Sequence, residues 1–250
     1  MSADRVRPHG AVRTAVLLDV LTEALAELAA RLDTIQVLDV GGGTGGVAVP
    51  LAEIGYPVTV VDPSPDSLAA LERRVAETAT SALVTGRQGD ATELVNLFGH
   101  DSVDVVICHS VLEVVDDPAD ALAAVAAVLR PGGLASVLVA NRVAAVVARV
   151  ASGRLAEARH LLCDPAGSAG PSDPMTRRFT LDEVTALVTD AGLQPQAVHG
   201  IRVFSDAAPA ALLDIDPHAA ADLLALERDA AQDPAYTTVA TQLHLLAERK

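Results

Sequence analysis

The sequence predicts an α/β protein, a largely parallel sheet covered by helices on both faces, with its last strand antiparallel. Three observations predict it. Short, almost wholly apolar runs alternate with helix-length segments, the pattern of strands buried on both faces and joined by crossover helices. The first run ends directly in a glycine cluster that opens a helix, Val37-Leu38-Asp39-Val40-Gly41-Gly42-Gly43-Thr44-Gly45-Gly46. The next two strand ends carry acids, Asp62 and Asp90, at the edge where open α/β sheets bind ligands.

Each element has a local reason. Residues 1–10 are polar. Over 11–32, Val16, Leu17, Val20, Leu21, Leu25, Leu28 and Leu32 recur at helical spacing and predict an amphipathic helix. Arg13 lies in its first turn, where the helix dipole does not favour a cation. A solvated arginine and a ligand-binding one are equally open there. Residues 35–40 form the first strand. A helix follows over 47–53, with Pro50 in its first turn, where the missing N–H costs least. The second strand is 58–62, and Pro63-Ser64-Pro65 ends it. Ser64 is placed to cap a helix over 66–79. Residues 83–88 form the third strand and lead into Gly89-Asp90-Ala91-Thr92. The fourth strand, 102–108, is followed by His109-Ser110-Val111-Leu112-Glu113. A helix over 118–129 closes at Arg130-Pro131-Gly132-Gly133, and 134–140 is the fifth strand.

Residues 141–178 interrupt the alternation. They read as one helix over 142–162 and a Gly/Pro/Ser/Asp loop over 165–174. Thr180 and Glu183 then make a capping box for a helix through Ala191, which Gly192 stops. Residues 197–204 read as a strand. A helix starts at Asp216 or Pro217 and runs to 231, and 237–247 is the final strand, antiparallel beside the fifth.

Composition narrows the classes. At 250 residues, half of them hydrophobic, the chain builds one sizeable core. Its formal charge is −15 and the only lysine is Lys250, which opposes loose electrostatic binding to nucleic acid or an anionic membrane. Five aromatic side chains leave few stacking platforms for bases. Cys108 and Cys163 lie in different segments, with no spacing for a metal or a disulfide framework. There is no apolar signal segment at the start. The apolar stretch 134–151 is broken by Asn141, Arg142 and Arg149, so no membrane association and a cytoplasmic location are expected.

Gly41-x-Gly43-x-x-Gly46 fits the dinucleotide fingerprint, but Asp39 changes its meaning. A carboxylate two residues before the first glycine suits a ligand carrying an ammonium group better than a pyrophosphate. Asp62 stands about 20 residues after the first glycine, the spacing at which a carboxylate meets ribose hydroxyls. Asp90 can accept from an adenine amino group or simply turn the chain.

Asp39-x-Gly41-x-Gly43-x-Gly45, Asp62, Gly89-Asp90-Ala91 and Leu129-Arg130-Pro131-Gly132-Gly133 together resemble the class I S-adenosylmethionine (SAM) methyltransferases. The resemblance covers roughly residues 10–250. It implies a Rossmann-like, seven-stranded, mostly parallel sheet with helices on both faces and the last strand antiparallel, as one domain over 1–250. It implies SAM as cofactor, held by Asp39, Gly41, Gly42, Gly43, Asp62, Asp90 and Ala91. Gly10-Ala11-Val12-Arg13, the run from His109 to Pro118, Asn141 and Gly200-Ile201-Arg202-Val203-Phe204-Ser205-Asp206 narrow the resemblance to the bacterial tRNA 5-carboxymethoxyuridine methyltransferases, as do Leu226-Glu227, Pro234 and Tyr236. That likeness adds Arg13 and His109 as cofactor contacts and implies methyl-ester formation on a modified wobble uridine. With it, 1–32 reads as a helical lid and 141–178 as an insertion contributing to the acceptor site.

Two acceptors follow from the chemistry. The segment 163–178, lysine-rich in that family, here holds two cations against two acids, so a small acidic metabolite competes with a modified tRNA. A carboxylate acceptor is already ionised and needs a cation to hold it, with Arg202 first and Arg142, Arg177 or Arg178 behind it. A phenol, alcohol or amine would need a base, for which His109 or Glu113 could serve. An NAD-binding oxidoreductase or a non-catalytic SAM-binding protein could use the same fold, and Asp39 and Asp90 weigh against NAD. A monomer and a homodimer are both compatible with the sequence.

Overall fold

The structure is a computed structural model, and it describes residues 8–78, 80–209 and 218–250, the side chains of 8–13 excepted. Seven strands form one sheet: β1 (Val37–Val40), β2 (Val58–Asp62), β3 (Val84–Gln88), β4 (Val103–His109), β5 (Leu129–Ala140), β6 (Leu193–Ile201) and β7 (Gln242–Arg249). Their order is β3-β2-β1-β4-β5-β7-β6. The β3, β2, β1, β4 and β5 neighbours pair in parallel, while β7 runs antiparallel to both β5 and β6. The order of strands reverses between β1 and β4, which opens a crevice at their C-terminal ends.

Ten described helices surround the sheet: α1 (Pro8–Ala29), α2 (Ala48–Glu53), α3 (Pro65–Ala76), α4 (Leu94–Phe98), α5 (Pro118–Val128), α6 (Arg142–Ala151), α7 (Leu155–Cys163), α8 (Leu181–Asp190), α9 (Ala219–Ala231) and α10 (Pro234–Thr237). On one face, Leu21, Leu25 and Leu28 of α1 pack with Val37, Val60 and Ile107 of the sheet. On the other, Val125 of α5 and Val184 of α8 pack with Val106, Val137 and Leu245. Strand residues alternate between these two buried faces, which is why the runs read as continuously apolar.

The expected caps form. Ser64 accepts from the backbone N–H of Ser67, and Thr180 and Glu183 make both bonds of the capping box. Other expectations are corrected. The helix read over 142–162 is two helices, because Ser152-Gly153-Arg154 breaks it and Gly153 takes a left-handed φ of +74°. β5 starts five residues earlier than read, at Leu129, through a register irregularity opposite β4. β6 is shifted toward the N-terminus and ends before Arg202. The final strand starts at Gln242. The residues before it form the short helix α10, capped by Asp233 with Pro234 in its first turn. The short helix α4 has no counterpart in the sequence reading. The expected start of the helix at 216 or 217 lies outside the described residues.

One buried acid shapes the edge after β6. Glu227 of α9 is 1 % exposed and accepts from the backbone N–H groups of Val203 (2.8 Å), Phe204 (3.0 Å) and Ser205 (2.7 Å), and from the Ser205 hydroxyl. The turn therefore leaves β6 at a fixed angle, with Arg202 at its head. Glu227→Ala would strand the three backbone donors and the Ser205 hydroxyl. A loss of about 3 kcal/mol in urea unfolding is expected, against a near-neutral effect of the exposed neighbour change Leu226→Ala.

Candidate cofactor and acceptor site

The glycine turn closes over Asp39. Gly41 adopts a φ of +67°, and a Cβ there would lie 2.6 Å from Val111 Cγ2. At Gly42 a Cβ would lie 2.4 Å from Asp39 Oδ2. The backbone thus passes directly over a carboxylate that is 3 % exposed and whose Oδ2 has no hydrogen-bond partner among the described residues. Burial first, and the nearby Asp62 charge second, push the Asp39 carboxyl up to about 7.

Asp62 ties the turn to the end of β2. Its Oδ2 accepts from Gly43 N at 3.0 Å and its Oδ1 from Ser64 N at 2.9 Å. Each oxygen keeps a further lone pair for a hydroxyl donor. Asp90, beyond β3, accepts from the Thr92 hydroxyl at 2.6 Å and the Thr92 N–H at 2.7 Å, both on Oδ1. The Thr92 hydroxyl first, then its N–H, holds this carboxyl below the ordinary range. Asp90 is therefore a turn aspartate and a cleft residue at once.

These ends enclose a cleft of about 400 Å³, lined by Gly41, Asp62, Asp90, Ala91, Ser110 and Val111 among others. Ser110 holds a φ of +58°, an uncommon conformation for a residue with a side chain, where β4 leaves the sheet. The connection from β4 to α5 forms the opposite wall through Val114, Val115 and Asp116. The insertion fastens that wall: Arg177 donates to the carbonyls of Val115 and, at 2.7 Å, Asp116, and Thr176 donates to that of Glu113.

The other expected residues distribute unevenly. His109 ends β4, and its Nε2 pairs with the Ser136 hydroxyl at 2.7 Å on the α1 side of the sheet. Glu113 is buried and accepts from Ala140 N at 2.7 Å, a bond from the β4–α5 connection to the end of β5. Arg202 follows β6, two strands beyond β5, with a φ of +60°. It pairs with Asp206, which in turn accepts from the Thr241 hydroxyl at 2.7 Å. Arg142 pairs with Glu183 at 2.8 Å. Arg178, a reserve candidate for the acceptor carboxylate, is 6 % exposed and grips Asp173 through both terminal nitrogens. The Arg13 side chain lies outside the described residues.

Comparison with known proteins agrees with this architecture. Residues 38–137 match the family described as "Methyltransferase domain". That span runs from the glycine strand to the middle of β5 and holds the whole cleft. The protein is a SAM-dependent methyltransferase. Among its relatives, the tRNA 5-carboxymethoxyuridine methyltransferase of Escherichia coli (strain K12) is 29% identical over 253 residues, 96% of this chain and 89% of that protein. The ubiquinone biosynthesis O-methyltransferase of Caulobacter sp. (strain K31) is 34% identical over 108 residues, 43% of this chain and 42% of that protein. The structure of magnesium protoporphyrin IX methyltransferase from Synechocystis PCC 6803, with bound SAH, shares the fold at a TM-score of 0.65 and 15% identity, covering 100% of this chain and 90% of that one.

The residues present fit the cofactor. Asp39 is a buried carboxylate at the turn whose Oδ2 has no hydrogen-bond partner among the described residues, suited to a cationic group drawn close to it. Asp62 offers acceptors at the end of β2, and Asp90 and Ala91 close the far end of the cleft. Asp62→Ala is expected to weaken SAM binding in calorimetry by about 1–3 kcal/mol, the value of lost hydrogen bonds to a charged group. Unchanged affinity in a folded variant would remove Asp62 from the site.

Asp39 makes a second, pH-dependent expectation. Between the ordinary carboxylate range and about 7, the folded protein holds a proton the unfolded chain has released. Asp39 therefore weakens the ligand-free fold as pH rises through that window. Asp39→Asn should raise the melting temperature more at pH 8 than at pH 5. A cationic ligand favours the ionised form, so wild-type SAM affinity should rise with pH through about 7. The Asn variant should bind weakly and lose that dependence.

Proposed function

We propose that this methyltransferase esterifies a carboxylate, with the carboxymethoxy group of a modified tRNA uridine as the first acceptor to test. Arg202 carries the reading. It is a non-glycine residue in a left-handed conformation, its Nε is buried with no hydrogen bond among the described residues, and its charge is oriented by Asp206. A cation held in an uncommon backbone state at the ligand edge of an α/β sheet is what an ionised acceptor requires. The E. coli relative, similar over nearly the whole chain, is a tRNA 5-carboxymethoxyuridine methyltransferase, which supports the same acceptor chemistry here.

SAM supplies an electrophilic methyl group on a sulfonium. The chain's own residues then have three tasks. The glycine turn, Asp39 and Asp62 hold the cofactor at the ends of β1 and β2. Arg202 orients the acceptor carboxylate, which is ionised at neutral pH and needs no general base. The wall of Val111, Val114 and Val115 excludes water from the reacting centre. In this reading the insertion over 141–178 and the turn over 200–206 form the acceptor side. The first turns of α1 close over the cofactor, and Arg13 meets its carboxylate. SAM should then slow limited proteolysis near residues 5–15. Indifference of that cleavage to SAM, with normal binding by Arg13→Ala, would remove the lid.

A small acidic metabolite is the second reading, and one observation favours it. Both cations of the segment over 163–178 are consumed internally, Arg177 by the β4–α5 carbonyls and Arg178 by Asp173. Neither is free for a phosphate, in a chain of net charge −15. Methyl incorporation into purified tRNA carrying carboxymethoxyuridine, falling steeply with salt, supports the tRNA acceptor. No incorporation alongside tight SAM binding leaves the metabolite. On either acceptor, Arg202→Ala should lower turnover about 10- to 100-fold with SAM affinity nearly intact.

A further inference from the structure

Four polar side chains cross the α1 face of the sheet, where its neighbours are apolar. They come from four adjacent strands: His109 of β4, Ser136 of β5, His244 of β7 and His199 of β6. Ser136 and His244 are fully buried and His199 is 4 % exposed. On one side of the line lie Ile107 and Leu134, and on the other Leu138 and Ile201. The contacts are continuous. His109 Nε2 meets Ser136 Oγ at 2.7 Å, Ser136 Oγ meets His244 Nε2 at 2.7 Å, and His244 Nδ1 meets His199 Nδ1 at 3.3 Å. Burial pushes His199 down and His244 well down from the ordinary histidine value, so both are neutral imidazoles at pH 7.

For a line in which His109 is neutral as well, counting protons leaves two arrangements. Each link holds one proton, a neutral imidazole carries one N–H, and the serine hydroxyl donates once. In the first, Ser136 donates to His109 Nε2, His244 donates from Nε2 to Ser136, and His199 donates from Nδ1 to His244. In the second, every donor is reversed: His109 donates from Nε2, Ser136 donates to His244 Nε2, and His244 donates from Nδ1 to His199. A mixed state leaves two donors or two acceptors facing each other in a buried place, where an unmade hydrogen bond is costly. The line therefore switches as one unit. Its far end, His199, lines a groove of about 290 Å³ between α1 and the β6–β7 edge, with Glu23, Glu27 and Glu248. Three strand spacings, about 14 Å, separate it from His109.

We propose that Ser136, His244 and His199 are positioning residues that set which ring nitrogen of His109 carries its proton, so that the tautomer at the cofactor cleft is controlled from the groove beneath α1. The consequence for methyl transfer rests on the reading of His109 as a cleft residue, whereas the coupling rests on the hydrogen-bonded line itself. Nitrogen-15 NMR of the histidine rings in the ligand-free protein separates the two, since protonated and bare imidazole nitrogens resonate far apart.

The expected result is that His244 carries its proton on the opposite nitrogen from both His109 and His199. His199→Phe, remote from the cleft, should change the His109 ring spectrum. Ser136→Ala should make His109 insensitive to that change, and Ser136→Thr, which keeps the hydroxyl, should restore the coupling. Matching tautomers at His109 and His244, or a His109 spectrum unmoved by His199→Phe, would overturn the proposal. Should Ser136→Ala fail to fold, those two spectra still decide it. If the coupling holds but SAM leaves the His109 ring unchanged and His199→Phe leaves both kcat and KM unchanged, the relay stands and the cleft role of His109 falls.

Discussion

Asp39 lies beneath a backbone that has no side chain to place between it and the cleft. Most of the cofactor end follows from that constraint. The carboxylate sits on the α1 face of β1, where its neighbours are apolar, and a Cβ at Gly42 would collide with it. Burial with no hydrogen-bond partner among the described residues makes the ionised form expensive, which raises its pKa and leaves Oδ2 unsatisfied there. Such an arrangement is an electrostatic demand for a cation. Asp62 completes it by holding the same turn through Gly43 and by adding a second negative charge. The two acids oppose each other in the ligand-free protein, and a cationic ligand relieves both.

The acceptor side proposed above is built on a different principle. Its cations are compensated rather than waiting: Arg142 by Glu183, Arg178 by Asp173 and Arg202 by Asp206. Arg202 alone among these combines an uncommon backbone conformation with a buried donor lacking a hydrogen bond among the described residues. The turn that bears it is fixed by Glu227 from α9, and Arg177 fastens the cleft wall from the insertion. On that reading, acceptor recognition and cofactor binding share parts of one frame. Movement of the insertion would be felt at Val115 and Asp116.

Much of the frame was legible in the sequence for a simple reason. Strands buried on two faces read as apolar runs, and Ser64, Thr180 and Gly192 mark helix boundaries with local chemistry. The candidate cofactor residues stood out because Asp39, Asp62 and Asp90 occupy successive strand ends, so that topology alone brings them to one edge. What escaped depends on long-range register or loop packing. The Ser152–Arg154 break needed the weight of Gly153 against an otherwise helical pattern. Arg178 finds Asp173 within a loop that no periodicity describes. His199 and His244 meet only because β6 and β7 pair in one particular register, and Ser136 joins them only through β5. Arg202 was found through a family resemblance, yet its conformation and its pairing with Asp206 belong to the folded chain.

The central claim is that the acceptor atom is a carboxylate oxygen. A methyl ester differs from a methyl ether or a methylamine in one decisive property, its lability to mild alkali. Methyl-labelled SAM should be turned over with bulk tRNA or with a small-molecule extract, and the isolated product treated with dilute base. Release of the label as volatile methanol, in an amount that falls sharply when Arg202 is replaced by alanine, is the result expected. Label that stays on the product through alkali would contradict a carboxylate acceptor and point to a hydroxyl or amine instead.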